Sequence, residues 1–365
     1  MMRLFGVAVF LALAIMPGSV RADETQEAFA QGNAAFLRAD FDLAVRRYSE
    51  AIQFNSKDPT AYNNRGYAYA HKHDFDKANA DYTEAIRRDG KYAKAYCNRG
   101  AAYDKLGKLD EAITDYTRAI QLDPSSVSTY RGRADVYVQK GDQSRAIADY
   151  TEAIRLDPKS AALYNKRGLA YGLKHDFDNE LADQTEAIRL NPRFAAAYSC
   201  RGMSYLNNGQ VDMAIVDFND AIRLNPKDAK AYWNRGLVYG QKGSYDKAIA
   251  DFTEAIRCDP GDFTAYSCRA TAYGRKREYD KAIADFTEVI RLNPKGARGY
   301  YYRGSGYLAK DQFDKAIADY TEALRLDPND CNVYHDRGLA YRRTGEYTKA
   351  EEDSAQAKKL GYKGN

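Results

Sequence analysis

The chain has 365 residues, with 55 Lys and Arg against 51 Asp and Glu and a formal charge of +4. So even a balance gives no reason to expect a nucleic acid or an anionic membrane surface as partner. It also excludes the acidic, aromatic-poor composition of disordered chains, since 13% of the residues are aromatic.

At the N-terminus Arg3 precedes an apolar run of thirteen residues, Leu4–Met16, and then Val20-Arg21-Ala22. Basic start, short apolar core and small residues at the cut predict a signal peptide, residues 1–22, cleaved after Ala22. The run is too short for a bilayer span of roughly 20 residues, so no stable membrane insertion is expected. No Cys stands at the cut to carry a lipid. The expected location is the periplasm or the extracellular space. The remaining chain carries 53 basic and 51 acidic residues, a charge of +2.

From Thr25 the sequence repeats without a gap every 34 residues, ending at Gly364. The copies are 25–58, 59–92, 93–126, 127–160, 161–194, 195–228, 229–262, 263–296, 297–330 and 331–364. A fixed period in this range marks a solenoid of small supersecondary units. In the copy 229–262, with Tyr232 as position 4, large residues stand at positions 4, 11, 17, 21, 24, 28 and 30. Small ones stand at 8, 20 and 27. Steps of three, four and seven predict a helix A over positions 2–14 and a helix B over 17–31. Gly243 and Ser244 break the pattern between them, and Asp259-Pro260 closes helix B.

Position 8 is Gly in eight copies and Ala in two, Ala134 and Ala270. Gly inside a helix costs roughly 1 kcal/mol against Ala, so its recurrence implies a steric need where helices A and B approach. Tyr232, Tyr239 and Phe252 fill the space around Gly236, Ala248 and Ala255. Tyr occupies positions 4 and 11 in nine copies each, which explains most of the 31 tyrosines. One hairpin cannot bury these rings alone, so neighbours must stack.

An aromatic at 4, Gly at 8, Tyr at 11, Ala at 20, an aromatic at 24, Ala at 27 and Pro at 32 together resemble the tetratricopeptide repeat, over residues 25–364. The resemblance implies an all-α, right-handed superhelical solenoid of antiparallel helix pairs, with helix A lining a concave groove. It also implies a binding module for peptides or proteins, not an enzyme, and no cofactor. Members that clamp a chaperone's terminal carboxylate carry a Lys and Asn series at positions 5 and 9, which no three successive copies here show.

The first copy is degenerate, with Ala28 and Ala35 in place of both tyrosines. The last is degenerate in helix B, where Glu351 and Ser354 take apolar slots. Polar terminal repeats keep an array soluble, so these two are expected to cap it. Copy five departs differently: Glu180 replaces a close-packed Ala and Gln184 an aromatic. A hinge, a wet pocket and a tolerated defect are all open readings.

Position 7, where many members of that family have Leu, is Arg in nine copies, and position 23 is Asp in the same nine. Arg235 with Asp251 and Arg303 with Asp319 exemplify the expected ion pair between helices A and B of one copy. Pairing across copies would set Arg47 against Arg65 and is disfavoured.

Five cysteines, Cys97, Cys200, Cys258, Cys268 and Cys331, fall at unrelated repeat positions and read as small hydrophobes. Cys258 and Cys268 flank one turn and are the pair to inspect. His71, His73, Asp74 and Asp76 lie at a helix end and turn, and turn chemistry explains them without a metal. No phosphate loop, zinc-protease helix or nucleophile elbow occurs, so no catalytic residues are assigned.

By the family's geometry the groove is lined by positions 2, 5, 9, 12 and 13, which vary far more than the packing positions. The candidate partner-binding residues are Tyr67, Arg131, Leu169, Met203, Trp233, Leu237, Arg275, Arg298, Tyr301, His335 and Arg342. Aromatic and Arg side chains are the usual anchors of an interface. The expected ligand is a peptide or protein segment, and a second copy of the chain in a homo-oligomer is an open possibility. The alternative is a glycan stacked on Trp233, Tyr301 and Tyr302. An RNA reader of the pentatricopeptide kind is opposed by the period, the mild charge and the export signal.

Overall fold

The computed structural model describes residues 18–363. Among them the chain forms twenty α-helices and no strands. They are α1 (Gly18–Leu37), α2 (Phe41–Phe54), α3 (Pro59–His71), α4 (Phe75–Arg88), α5 (Ala93–Lys105), α6 (Leu109–Leu122), α7 (Val127–Gln139), α8 (Gln143–Leu156), α9 (Ala161–Leu173) and α10 (Phe177–Leu190). Then follow α11 (Ala195–Asn207), α12 (Val211–Leu224), α13 (Ala229–Gln241), α14 (Tyr245–Cys258), α15 (Phe263–Arg275), α16 (Tyr279–Leu292), α17 (Ala297–Ala309), α18 (Phe313–Leu326), α19 (Cys331–Thr344) and α20 (Tyr347–Lys359). Odd and even helices pair as hairpins. The apolar run Leu4–Met16 lies outside the described residues. None of the described helices is long and apolar enough to cross a membrane.

The helices divide into two compact units, one ending at Leu190 and one beginning at Asn191. Each is a solenoid of hairpins. Within each, helix B packs on the A helix of the following hairpin, and successive A helices also touch, as α3 does α5 and α13 does α15. The B helices of neighbouring hairpins do not approach as closely, so the A helices form the inner face of each array.

The turn inside every hairpin has one design. Position 15 takes the left-handed conformation in all ten copies. Five are Gly, such as Gly243 at φ +72°, and five are Ala39, His73, His175, Arg277 and Asp311, at φ near +60°. The next residue's N–H then donates back five residues, as from Ser244 to the Tyr239 carbonyl at 2.8 Å. That bond satisfies a carbonyl the helix end would leave open. Between hairpins the carboxylate or amide at position 31 caps the turn, as Asp259 Oδ1 accepts from the Gly261 N–H at 3.1 Å.

The small positions are sites of contact. A Cβ on Gly236 would stand 2.8 Å from the Phe252 ring, and one on Gly202 2.8 Å from Phe218. Ala44, Ala78, Ala248 and Ala316 are fully buried beside them. The core is accordingly a file of small clusters, each made by one to three hairpins, such as Ala255, Ile256 and Ala265 with Tyr232 and Trp233 against them.

Copy five keeps its helices despite its two polar replacements. Gln184 is fully buried, and its amide exchanges hydrogen bonds with Asn165: Asn165 Nδ2 donates to Gln184 Oε1 at 2.8 Å, and Gln184 Nε2 to the Asn165 carbonyl at 3.2 Å. Glu180 is buried where a Cβ on Gly172 would meet its carboxyl at 2.8 Å. The acid fits because the opposing residue has no side chain.

Candidate binding groove

The outer half of nine of the ten hairpins is consumed by one repeated lattice. In nine copies the Arg at position 7 forks onto the Asp at position 23 of its own hairpin. Nε lies 2.7–2.9 Å from Oδ2 and Nη2 2.6–2.9 Å from Oδ1. Arg235–Asp251 and Arg303–Asp319 are two of these pairs. Hydrogen bonding to the carboxylate, against the cost of burial, holds the Arg235 guanidinium above its ordinary pKa. The guanidinium also lies over the Tyr at position 4, 5.8 Å from the Tyr232 ring centre.

The third guanidinium corner does something the sequence did not announce. Arg269 Nη1 reaches back to the Thr253 hydroxyl of the preceding hairpin at 3.1 Å, and Arg303 to Thr287 and Arg99 to Thr83 likewise. The Thr hydroxyl in turn donates to the carbonyl four residues before it, Ile249 for Thr253. Each of these Arg residues therefore ties two B helices together. The signal was present: position 25 is Ser, Thr or Asn in nine copies and Ala355 in the tenth.

The face left over is the A-helix face. Position 13 is exposed in every copy, and position 9 is exposed at Tyr67, Leu169, Met203 and Leu339. Position 5, expected to line the groove, is mostly turned into the contact between successive A helices. Asn63 is 1% and Asn165 7% exposed. Trp233 is half-buried in the core file, and its indole Nε1–H is buried without a well-placed acceptor. The nearby Cys268 thiol is pushed up in pKa by burial, which the Trp233 N–H opposes. Tyr301 is half-buried and donates its hydroxyl to Asp336 Oδ2 at 3.0 Å. His335 stacks on Tyr362 with ring centres 4.1 Å apart. Tyr302 lies parallel to Phe286 at 5.5 Å. Of the rings proposed for sugar stacking, each is thus partly spent on the protein itself.

In the first unit Tyr67 is exposed and stacks on Phe36 at 5.2 Å, while Arg131 and Leu169 are exposed on α7 and α9. Tyr67, Phe75, Tyr82 and Ala101 line a pocket of about 380 Å³, with His71, His73 and Lys105 at its edge. His71 lies against Phe36, Phe41 and Tyr67 with ring centres about 5 Å away. Among the described residues no three His, Cys, Asp or Glu converge as metal ligands would.

In the second unit Met203, Arg275, Arg298 and Arg342 are exposed. Leu237 and Arg275 meet across a pocket of about 540 Å³. His335 and Arg342 share another of about 260 Å³ with Leu339 and Lys358. Trp233 lines a third, of about 280 Å³, beside Lys230, Asp259 and Asp262. Met203, Arg298 and Tyr301 line none of these pockets. None of the five cysteines forms a disulfide, and Cys258 and Cys268 are not joined.

An all-helical array of 34-residue hairpins, locked on its outer half and variable on its inner one, defines a helical-repeat solenoid built to present a surface. Tetratricopeptide-repeat family profiles match residues 32–73, 59–92, 93–126, 134–174, 185–216, 201–263, 263–295, 304–345 and 332–360. The chain belongs to the tetratricopeptide repeat family. No curated protein matches it. Among solved structures it resembles PilF of Pseudomonas aeruginosa, at 18% identity over 56% of this chain and 95% of that one, with a TM-score of 0.50. That likeness concerns the fold alone. It is also similar to MamA from Desulfovibrio magneticus, at 22% identity over 46% of this chain and 94% of that one, TM-score 0.44. YrrB, described as a tetratricopeptide repeat protein with an unusual peptide-binding site, is 27% identical over 50% of this chain and 95% of its own, TM-score 0.43.

Proposed function

We propose that this protein is a non-enzymatic, exported scaffold that holds a peptide or protein segment against the A-helix face of its hairpins. One observation carries the reading. The Tyr, Arg, Asp, Gly and Ala positions are committed to packing and to the ion-pair lattice, and the exposed side chains at positions 9 and 13 are the ones that differ from copy to copy. A surface that varies over a fixed scaffold suits recognition. Export fits the same picture: removing residues 1–22 shortens α1 by about its first turn and leaves its buried residues, Ala28 and Ala35, in place.

The test is a pull-down from the envelope and medium of the native cell with the chain from Asp23. The comparison baits carry either Leu169→Glu with Met203→Glu on the exposed inner face, or Lys247→Glu on the outer one. A protein held by the wild type and by the outer variant, and lost by the inner variant, supports the reading. The same protein on all three baits rejects it. N-terminal sequencing of the native protein checks the export, with Asp23 as the expected first residue.

A further inference from the structure

We infer that the pocket shared by α13, α14 and α15 selects a partner segment in which a large apolar side chain stands beside an aspartate or glutamate. This rests on the binding role proposed above and deepens it. The pocket's floor is apolar, made by Leu237, Phe252 and Ala272. It is open because position 240 is Gly: a Cβ there would touch only the Ala248 methyl, at 4.0 Å. At about 540 Å³ it has room for an aromatic side chain and part of its backbone. The rim carries the Arg275 guanidinium, the Gln241 amide and the Ser267 hydroxyl.

Charge decides the occupant. No carboxylate lines this pocket, and Arg275, exposed, has no ion pair among the described residues. That sets it apart from Arg235 and Arg269 nearby, whose guanidinium groups are fully engaged with Asp251 and Asp285. A partner carboxylate would find an unspent, forked donor at the edge of an apolar cavity. The same combination recurs in two other inner-face pockets. The first unit has His71, His73 and Lys105 around an aromatic floor, and the end of the second has Arg342 and Lys358 around Leu339, again with no lining carboxylate. In a chain of nearly balanced charge, Arg275, Lys105, Arg342 and Lys358 on these three rims favour an acidic, apolar-studded segment, whereas the Trp233 pocket carries Asp259 and Asp262.

The experiment is fluorescence anisotropy with the chain from Asp23 and three labelled peptides in a glycine–serine background. One carries phenylalanine–glutamate pairs, one phenylalanine–lysine pairs and one alanine–glutamate pairs. The first is expected to bind best. Arg275→Glu should weaken it about tenfold, the order of one lost charge-assisted hydrogen bond, and shift preference toward the lysine peptide. Gly240→Leu, which fills the cavity from a helix position that tolerates a side chain, should weaken the first peptide while leaving the thermal transition in place. Lys247→Glu, on the outer face, is the charge control and should change little. Binding of the first peptide that neither Arg275→Glu nor Gly240→Leu alters overturns this inference and leaves the groove reading standing. Equal binding of the glutamate and lysine peptides, or binding of none of the three, also overturns it. In the last case the pull-down decides separately whether the groove reading falls too.

Discussion

Arg235 and Asp251 meet edge to edge across their hairpin, with Nε 2.9 Å from Oδ2 and Nη2 2.6 Å from Oδ1. The Asp side chain is 7% and the Arg 19% exposed. Replacing both by well-packed apolar residues would change stability little, but removing one partner strands a buried charge. Asp251→Ala is expected to cost about 3–5 kcal/mol. Asp314→Ala, at an exposed position in the same unit, should stay within about 0.5 kcal/mol. Urea unfolding of the two variants checks this, and equal midpoints would refute it.

The link from Arg269 to Thr253 joins hairpins rather than helices of one hairpin. Thr253→Ala removes an exposed acceptor, and its expected cost is about 0.5–1.5 kcal/mol. Adding it to Asp285→Ala, which frees Arg269 from its carboxylate, should give less or more than the sum, because the two acceptors share one guanidinium. Strict additivity in a double-mutant cycle would show that the reach to Thr253 contributes nothing.

Gln184 and Asn165 satisfy each other in an interior that holds an aromatic ring in most other copies. Gln184→Leu leaves the Asn165 amide buried and unpaired, and should lower stability by about 1–3 kcal/mol. The double variant with Asn165→Ala is expected to recover part of that loss. Thermal melts of the three proteins separate the outcomes. A Gln184→Leu protein as stable as the wild type would mean that the pair is incidental.

Arg277 stands at φ +61°, in the conformation that Gly adopts in five of the other hairpin turns. A side chain there costs roughly 1–2 kcal/mol, part of which Gly returns through a freer unfolded chain. Arg277→Gly should therefore stabilise by up to about 1 kcal/mol. A lower melting temperature would show that the Arg277 side chain makes good its strain.

Asp336 gives a pH signature. Burial raises its pKa above the ordinary carboxylate value, and the hydrogen bond from Tyr301 only partly opposes this. A carboxyl whose folded pKa is raised binds its proton more tightly when folded. Its contribution to stability is present below the unfolded pKa, near pH 3.8, and is lost as pH rises through the folded one. Asp336→Asn keeps an acceptor for Tyr301 and removes the charge. It should raise the melting temperature at pH 7 and lose that advantage near pH 3. A constant difference across that range would contradict the argument.

The repeating frame was legible because each packing position makes one demand in every copy. Gly at position 8 comes where a Cβ meets the ring at position 24 or its neighbours, Ala at 20 and 27 where a methyl is buried, and Tyr at 4 and 11 where a ring fits. Between the first and last helices, the ends fall within one residue of the periodic reading, since caps and left-handed turns set the final residue; α1 starts earlier, at Gly18, and α20 stops two residues short, at Lys359. The groove was less legible. Positions 5 and 9 vary alike in sequence, yet Asn63 and Asn165 are buried while Tyr67 and Leu169 are exposed. What separates them is the stagger between successive A helices, a distance that no single copy encodes. The Asn165 and Gln184 pair was hidden for a similar reason: the two lie nineteen residues apart and each looks like an isolated lapse. The left-handed turn was half visible, since Gly107, Gly141, Gly209, Gly243 and Gly345 announce it and His73, His175 and Arg277 conceal it.

Gly172 and Glu180 carry a consequence for how such a chain can change. A Cβ at 172 would stand 2.8 Å from the carboxyl of Glu180, so a side chain there would oblige the acid to turn aside. Copies seven and eight already hold that permissive state in Gly240 and Gly274, where a Cβ meets nothing closer than 4.0 Å. An acid in place of their partners Ala248 or Ala282 would therefore have the room that Glu180 has, whereas in copy two the counterpart Ala78 packs against Ala70.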